Sequence, residues 1–195
     1  MSAWRNALDK ILRGDANKLR DVRLGATPNF IVAMGLDQVA LVMTAGKIAK
    51  ARREHPEVPL STWHTLPALL EQPKAVFPSS KNDGSLIVVI DAEDALGNPI
   101  IVPVIADRTA RRNVVLTLYG KSATDRHTGD EWIKSQLEAA KRESKKIYVR
   151  EGFADSEPKP KADDALSSPG LIPVDGPAKP QRSILTLPSK VKGES

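Results

Sequence analysis

The residues whose types could do chemistry together lie between Lys47 and Lys121. His55 ends a stretch rich in lysine and arginine, and a histidine can take or release a proton near neutral pH. Thr117 and Tyr119 offer hydroxyl groups beside Lys121 at the end of an apolar run. RNA cleavage without a metal needs a general base for the 2′-hydroxyl, an acid for the leaving oxygen and cations for the charged phosphorane. This part of the chain holds all three types of group.

Four further cations are candidates for binding phosphate: Lys47, Lys50, Arg111 and Arg112. The formal net charge of the chain is +5, but residues 25–155 carry almost equal numbers of basic and acidic groups. A site for nucleic acid must therefore come from local clustering, and clusters of charge are more often solvated faces.

Each histidine also has a structural interpretation. His55 could be a C-terminal cap without any catalytic role, since the helix dipole favours a cation at that end of the helix. His64 beside Trp63 is typical of a packed side chain, and His127 lies in a polar loop and is expected to be exposed.

Several familiar kinds of site are excluded. The chain has no cysteine, which rules out disulfides and thiolate metal sites. It has no Gly-x-Ser-x-Gly or His-Glu-x-x-His motif, and Val115 stands where a phosphate-binding loop ending at Ser122 would need glycine. The acidic residues Asp91, Glu93 and Asp94 lack the other ligands of a calcium loop and are interpreted as a solvated turn. We expect no metal site and no cofactor.

Helices and strands must position these residues. The helix that precedes His55 must stop there, because Pro56 disfavours helical geometry in the residue before it. Thr128 and Glu131 form a capping box that predicts the start of a last helix. Helices are expected over residues 1–12, 43–54, 67–71 and 128–142, with another short one from Ser61 or Thr62, and strands over residues 74–77, 85–91, 100–106, 113–119 and 146–149.

These elements predict an α+β fold in which N-terminal helices pack on one side of a curved antiparallel sheet of four to five strands. Residues 1–24 would form an amphipathic helical arm, residues 25–155 the folded domain, and residues 156–195 a proline-rich disordered tail. The longest apolar runs are far shorter than the roughly 18 residues of a membrane span. We expect a soluble protein without a membrane partner.

The order of motifs resembles the C-terminal domain of phage MuF-type head proteins over about residues 3–152. The resemblance rests on the segment from Leu24 to Leu36, the lysine-rich helix closed by His55, the apolar pair of strands, and two short blocks, Leu66-Pro67 to Val76-Phe77 and Leu118-Tyr119-Gly120-Lys121. That family is grouped with barnase-like, EndoU-like, colicin-type and RelE-like nucleases, which implies metal-independent RNase activity.

The resemblance places His55, Thr117, Tyr119 and Lys121 at the family's candidate catalytic positions. It implies RNA as the substrate, an immunity protein or a phage head component as a partner, and a location in the cytoplasm, in a virion or in a target cell. Two alternatives stay open: a module that binds nucleic acid without cutting it, and a head-associated or host-interaction protein without enzymatic activity.

Overall fold

The structure, a computed structural model, describes residues 2–122 and 128–153, which form five helices and eight strands. The segment predicted to be a disordered tail and the loop with His127 lie outside the described residues. The helices are α1 (Ala3–Leu12), α2 (Asn29–Ala33), α3 (Ala45–Glu54), α4 (Leu60–Glu71) and α5 (Gly129–Arg142). The strands are β1 (Asp21–Ala26), β2 (Ala40–Thr44), β3 (Ala75–Pro78), β4 (Ser85–Glu93), β5 (Pro99–Asp107), β6 (Arg112–Val115), β7 (Tyr119–Gly120) and β8 (Tyr148–Val149).

All eight strands belong to one sheet with the order β1-β2-β6-β5-β4-β3-β8, and β7 pairs with β5 beside this path. The mixed α+β class is confirmed, whereas the predicted count of four to five strands is wrong. β2 was missed because residues 40–43 form a short continuous apolar run, which does not by itself distinguish a strand from the start of the next helix. β1, which pairs with β2, was missed with it. β6 and β7 were predicted as one strand, but residues 116–118 separate them.

The sheet is not wholly antiparallel, because β2 and β6 pair in parallel. It also carries helices on both faces rather than on one. Alternate residues of β4 enter two separate apolar clusters: Val88 and Ile90 pack with α1, α3 and α4, while Ile87 and Val89 pack with α5. Both sets of side chains on this strand are apolar, so both faces of the sheet need a cover.

Helix α4 runs through Pro67, where two short helices were predicted. A proline inside a helix cannot donate to the carbonyl four residues before it, which here is that of Trp63. The indole Nε1 of Trp4 donates to this carbonyl instead, at 2.6 Å. The carbonyl that Pro67 would leave without a partner is therefore satisfied by a side chain of α1.

The two predicted helix boundaries that matter for function are confirmed. Helix α3 ends at Glu54 with His55 as its C-cap, and Thr44 Oγ1 caps its start by accepting from the amide of Lys47 at 3.3 Å. Thr128 and Glu131 form the capping box of α5. No helix among the described residues is long and apolar enough to cross a membrane.

Candidate active site

His55 lies between the end of α3 and the short strand β7. Its amide donates to the carbonyl of Ala51 at 2.8 Å, which fixes the backbone at the helix end. The imidazole stacks on the ring of Tyr119 with the centroids 5.2 Å apart and an angle of 26° between the planes. The stack brings together two of the predicted catalytic residues.

The imidazole is oriented from its other side by Glu57. His55 Nδ1 lies 3.2 Å from Glu57 Oε1, and an ionised carboxylate can only accept a hydrogen bond. Nδ1 therefore carries the proton in this contact, and Nε2 is the nitrogen left for other partners.

The turn that follows β4 holds the backbone of Glu57. The carbonyl of Glu57 accepts from the amide of Ala95 at 2.8 Å. Beside it, the buried carboxylate of Asp94 accepts hydrogen bonds from the Leu96 amide (2.8 Å), the Asn98 amide (2.9 Å) and Asn98 Nδ2 (2.9 Å). Asp94 was interpreted as part of a solvated turn, but it is only 7% exposed and closes this turn against the site.

Gly120 is the point where that turn meets β7. A Cβ at Gly120 would lie 2.6 Å from Asp94 Cγ, and closer still to Oδ2. Only glycine leaves room for the carboxylate here. Gly120 directly follows Tyr119, so this close approach lies next to the residue that stacks on the His55 ring.

The hydroxyl of Tyr119 stays protonated at neutral pH, because burial raises the pKa of this phenol further above its usual value. It can therefore donate a hydrogen bond.

A small cleft of about 230 Å³ adjoins His55. It is lined by Lys47, Lys50, Ala51, Glu54, His55, Leu116 and Thr117. Lys50 forms an ion pair with Glu54 at 3.8 Å, and both side chains are largely exposed. The structure thus brings His55, Thr117, Lys47 and Lys50 to one cavity, with Tyr119 stacked on the histidine.

Lys121 takes a different place. Its amide donates to the carbonyl of Pro99 at 2.8 Å, and its ammonium lies 4.5 Å from the ring centroid of Trp132 on α5. Lys121 is not among the residues that line the cleft.

Arg111 and Arg112 lie at the start of β6, whereas Thr117 follows its end. At about 3.3 Å per residue, β6 separates these arginines from the cleft by more than 10 Å. Arg112 forms ion pairs with Asp21 and Asp107. The hydrogen bond from the Ala110 amide, followed by the one from Arg112, lowers the pKa of Asp107 below its usual value. Arg111 is exposed and adopts a φ of 48° in the turn before β6. The two arginines are not brought to His55.

Two residues of the site were missed from the sequence. Glu57 lies two positions after His55, and a carboxylate so close to a candidate histidine could have been recognised as its orienting partner. The burial of Asp94 could not be predicted, because nothing in its own segment indicates that Gly120 packs against it.

The comparisons with known proteins place the chain in a family. The model of the phage MuF C-terminal domain matches residues 47–152, which is more than half of the 195 residues. This match begins inside α3 and includes His55, Glu57, Asp94, Thr117 and the Tyr119–Gly120 strand. No curated protein and no solved structure matches the chain.

Proposed function

The chain belongs to the phage MuF C-terminal domain family, and from this premise we propose that it is a metal-independent endoribonuclease with His55 as its acid–base residue. The observation that carries the proposal is the setting of His55. A carboxylate holds its Nδ1, Tyr119 stacks on its ring, and a cleft with two lysines adjoins it.

In the proposed reaction His55 Nε2 takes the proton of a ribose 2′-hydroxyl while that oxygen bonds to the adjacent phosphorus. The bond from phosphorus to the 5′-oxygen then breaks, and the 5′-oxygen takes the proton from the imidazolium. The products are a 2′,3′-cyclic phosphate and a 5′-hydroxyl. Glu57 stabilises the imidazolium and keeps Nε2 directed away from itself.

The other residues of the cleft would stabilise the charged phosphorane. Lys47 and Lys50 supply positive charge. The ion pair between Lys50 and Glu54 is exposed, so it contributes little to stability, and Lys50 can exchange Glu54 for a phosphate. Thr117 and Tyr119 would donate hydrogen bonds to the phosphoryl oxygens. Lys121 joins them only if it leaves the ring of Trp132.

The test is cleavage of an end-labelled single-stranded RNA by the full-length protein in the presence of EDTA. We expect wild type to produce 2′,3′-cyclic phosphate ends, and His55→Ala to lose on the order of 10²- to 10⁴-fold in rate. Glu57→Gln removes the orienting charge and should lose on the order of tenfold in rate, since a partly buried orienting carboxylate matters less than a fully buried one.

His64→Gln is the matched control, because His64 contacts Asp9 and lies outside the cleft. It should cleave at the rate of wild type. Cleavage that survives His55→Ala unchanged would overturn the assignment. RNA binding by wild type without any cleavage would instead support the alternative of a binding module.

A further inference from the structure

Strand β1 forms a free edge of the sheet. It pairs only with β2 and stands at one end of the strand order. The amide of Ala45 donates to the carbonyl of Arg20 at 2.9 Å, and hydrogen-bonded pairs alternate in an antiparallel ladder. Arg20 and Val22 therefore turn their main-chain groups toward β2, while Asp21 and Arg23 turn theirs outward. Among residues 2–122 and 128–153 no strand pairs with this edge.

A groove follows the same strand. One cavity of about 610 Å³ lies between the start of α1, β1 and α4, and a second of about 480 Å³ lies between the rest of α1 and the start of β1. Ala3 and Arg23 line both cavities, so the two adjoin along β1. We call this space the α1–β1 groove. It shares no lining residue with the cleft at His55.

The groove carries a surplus of positive charge. Arg5, Lys10, Arg20 and Arg23 line it, and within the described part of the chain none of them forms an ion pair. The two carboxylates along it are already engaged, Asp15 with Arg13 at 3.3 Å and Asp21 with Arg112. Among the described residues that line the groove, these four cations thus face carboxylates that are already paired with other cations.

We propose that the α1–β1 groove binds an extended acidic segment of a partner protein, which adds to β1 as a further strand. An outward edge offers N–H donors and carbonyl acceptors in alternation, and another main chain matches that row. A phosphate backbone offers only acceptors, so the edge favours a peptide over nucleic acid. The cations supply the preference for acidic side chains.

The test uses an octapeptide that alternates valine with glutamate, with a fluorescent label for affinity and isotope-labelled full-length protein for amide shifts. Two control peptides replace glutamate with lysine, or carry N-methyl groups that block strand pairing. We expect the acidic peptide to bind, amide shifts to concentrate in β1 and α1, and both controls to bind at least tenfold more weakly.

Two variants of one residue separate charge from main-chain pairing. Arg23→Glu should weaken binding of the acidic peptide about fivefold to tenfold, since one exposed attraction becomes a repulsion. Arg23→Pro removes an outward N–H, which an edge strand tolerates, and should weaken binding without lowering the melting temperature by more than a few degrees. Lys81→Glu reverses an exposed charge between β3 and β4 and should bind as wild type does.

Equal binding of the N-methylated peptide would refute strand addition. Equal binding of the lysine peptide would refute the charge preference. Absence of binding by the acidic peptide would overturn the proposal and would mean that the arginines only prevent this edge from pairing with other chains. A single-stranded oligonucleotide that causes the same shifts more strongly than the acidic peptide would assign the groove to nucleic acid and overturn the proposal.

Discussion

Gly120→Ala should destabilise the protein substantially, although it adds a single methyl group. The new Cβ would lie 2.6 Å from Asp94 Cγ, so the carboxylate or β7 must move. Overpacking of this kind costs about 1–3 kcal/mol, and loss of a hydrogen bond in the Asp94 turn adds about 1 kcal/mol. We therefore expect a total of about 2–4 kcal/mol. For a folded unit of this size that lowers Tm by about 5–15 °C.

Calorimetry or circular dichroism of the full-length chain measures this change, and Gly25→Ala is the matched control. Gly25 is also in a strand, but a Cβ there would meet only Glu71 Oε1, at 4.0 Å. Its replacement should leave Tm unchanged or slightly raised, because glycine weakens a strand relative to alanine. Gly120→Ala should also cost much less stability when Asp94 is already replaced by glycine, which has no carboxylate to collide with the new Cβ. Additive effects of the two changes, or a Tm for Gly120→Ala equal to that of Gly25→Ala, would show that the close approach is not what requires glycine.

Two other predictions concern charged residues. Arg150 and Lys74 lower the pKa of Asp91, so its ion pairs should stabilise the fold above the pKa of an unfolded aspartate and lose that effect as the pH falls through the lowered value. Asp91→Asn should thus be less stable than wild type in urea at pH 7, and the difference should shrink as the pH falls below the pKa of an unfolded aspartate. A difference that stays constant with pH would mean that charge is not the cause. If Lys121 leaves the ring of Trp132 and reaches the phosphate, Lys121→Ala should lower single-turnover RNA cleavage at least tenfold while changing RNA affinity less than threefold. If both stay at wild-type values, Lys121 serves only to pack on Trp132.

Local sequence patterns were sufficient to predict the parts of the fold that depend only on residues close together in the chain. The capping box of Thr128 and Glu131 starts α5 because both partners lie within one turn. Pro56 ends α3 at His55 through a steric effect on its own neighbour. The strands with long apolar runs, β4 and β5, were likewise predictable, apart from their exact ends.

Other features depend on residues far apart in the chain. The carbonyl of Trp63, which Pro67 cannot bond within α4, accepts instead from Trp4, 59 residues earlier in the chain. No local pattern contains that contact, so a break was predicted. The candidate site shows the same division: His55 and Thr117 were selected by type and order, whereas the burial of Asp94 against Gly120 follows from the packing of a turn onto β7.

The parallel pairing of β2 with β6 has a consequence for synthesis of the chain. This pairing joins Ala40 to Arg112, and the buried amide of Asn113 donates to Thr27 Oγ1 at 2.8 Å across 86 residues. At ~5–20 residues per second, the ribosome needs several seconds after β2 is complete to synthesise β6, its parallel partner. During that interval the apolar residues 41–43 present an unpaired edge, which is the kind of segment that aggregates. Nascent chains that stop short of Arg112 are therefore the ones expected to need a chaperone.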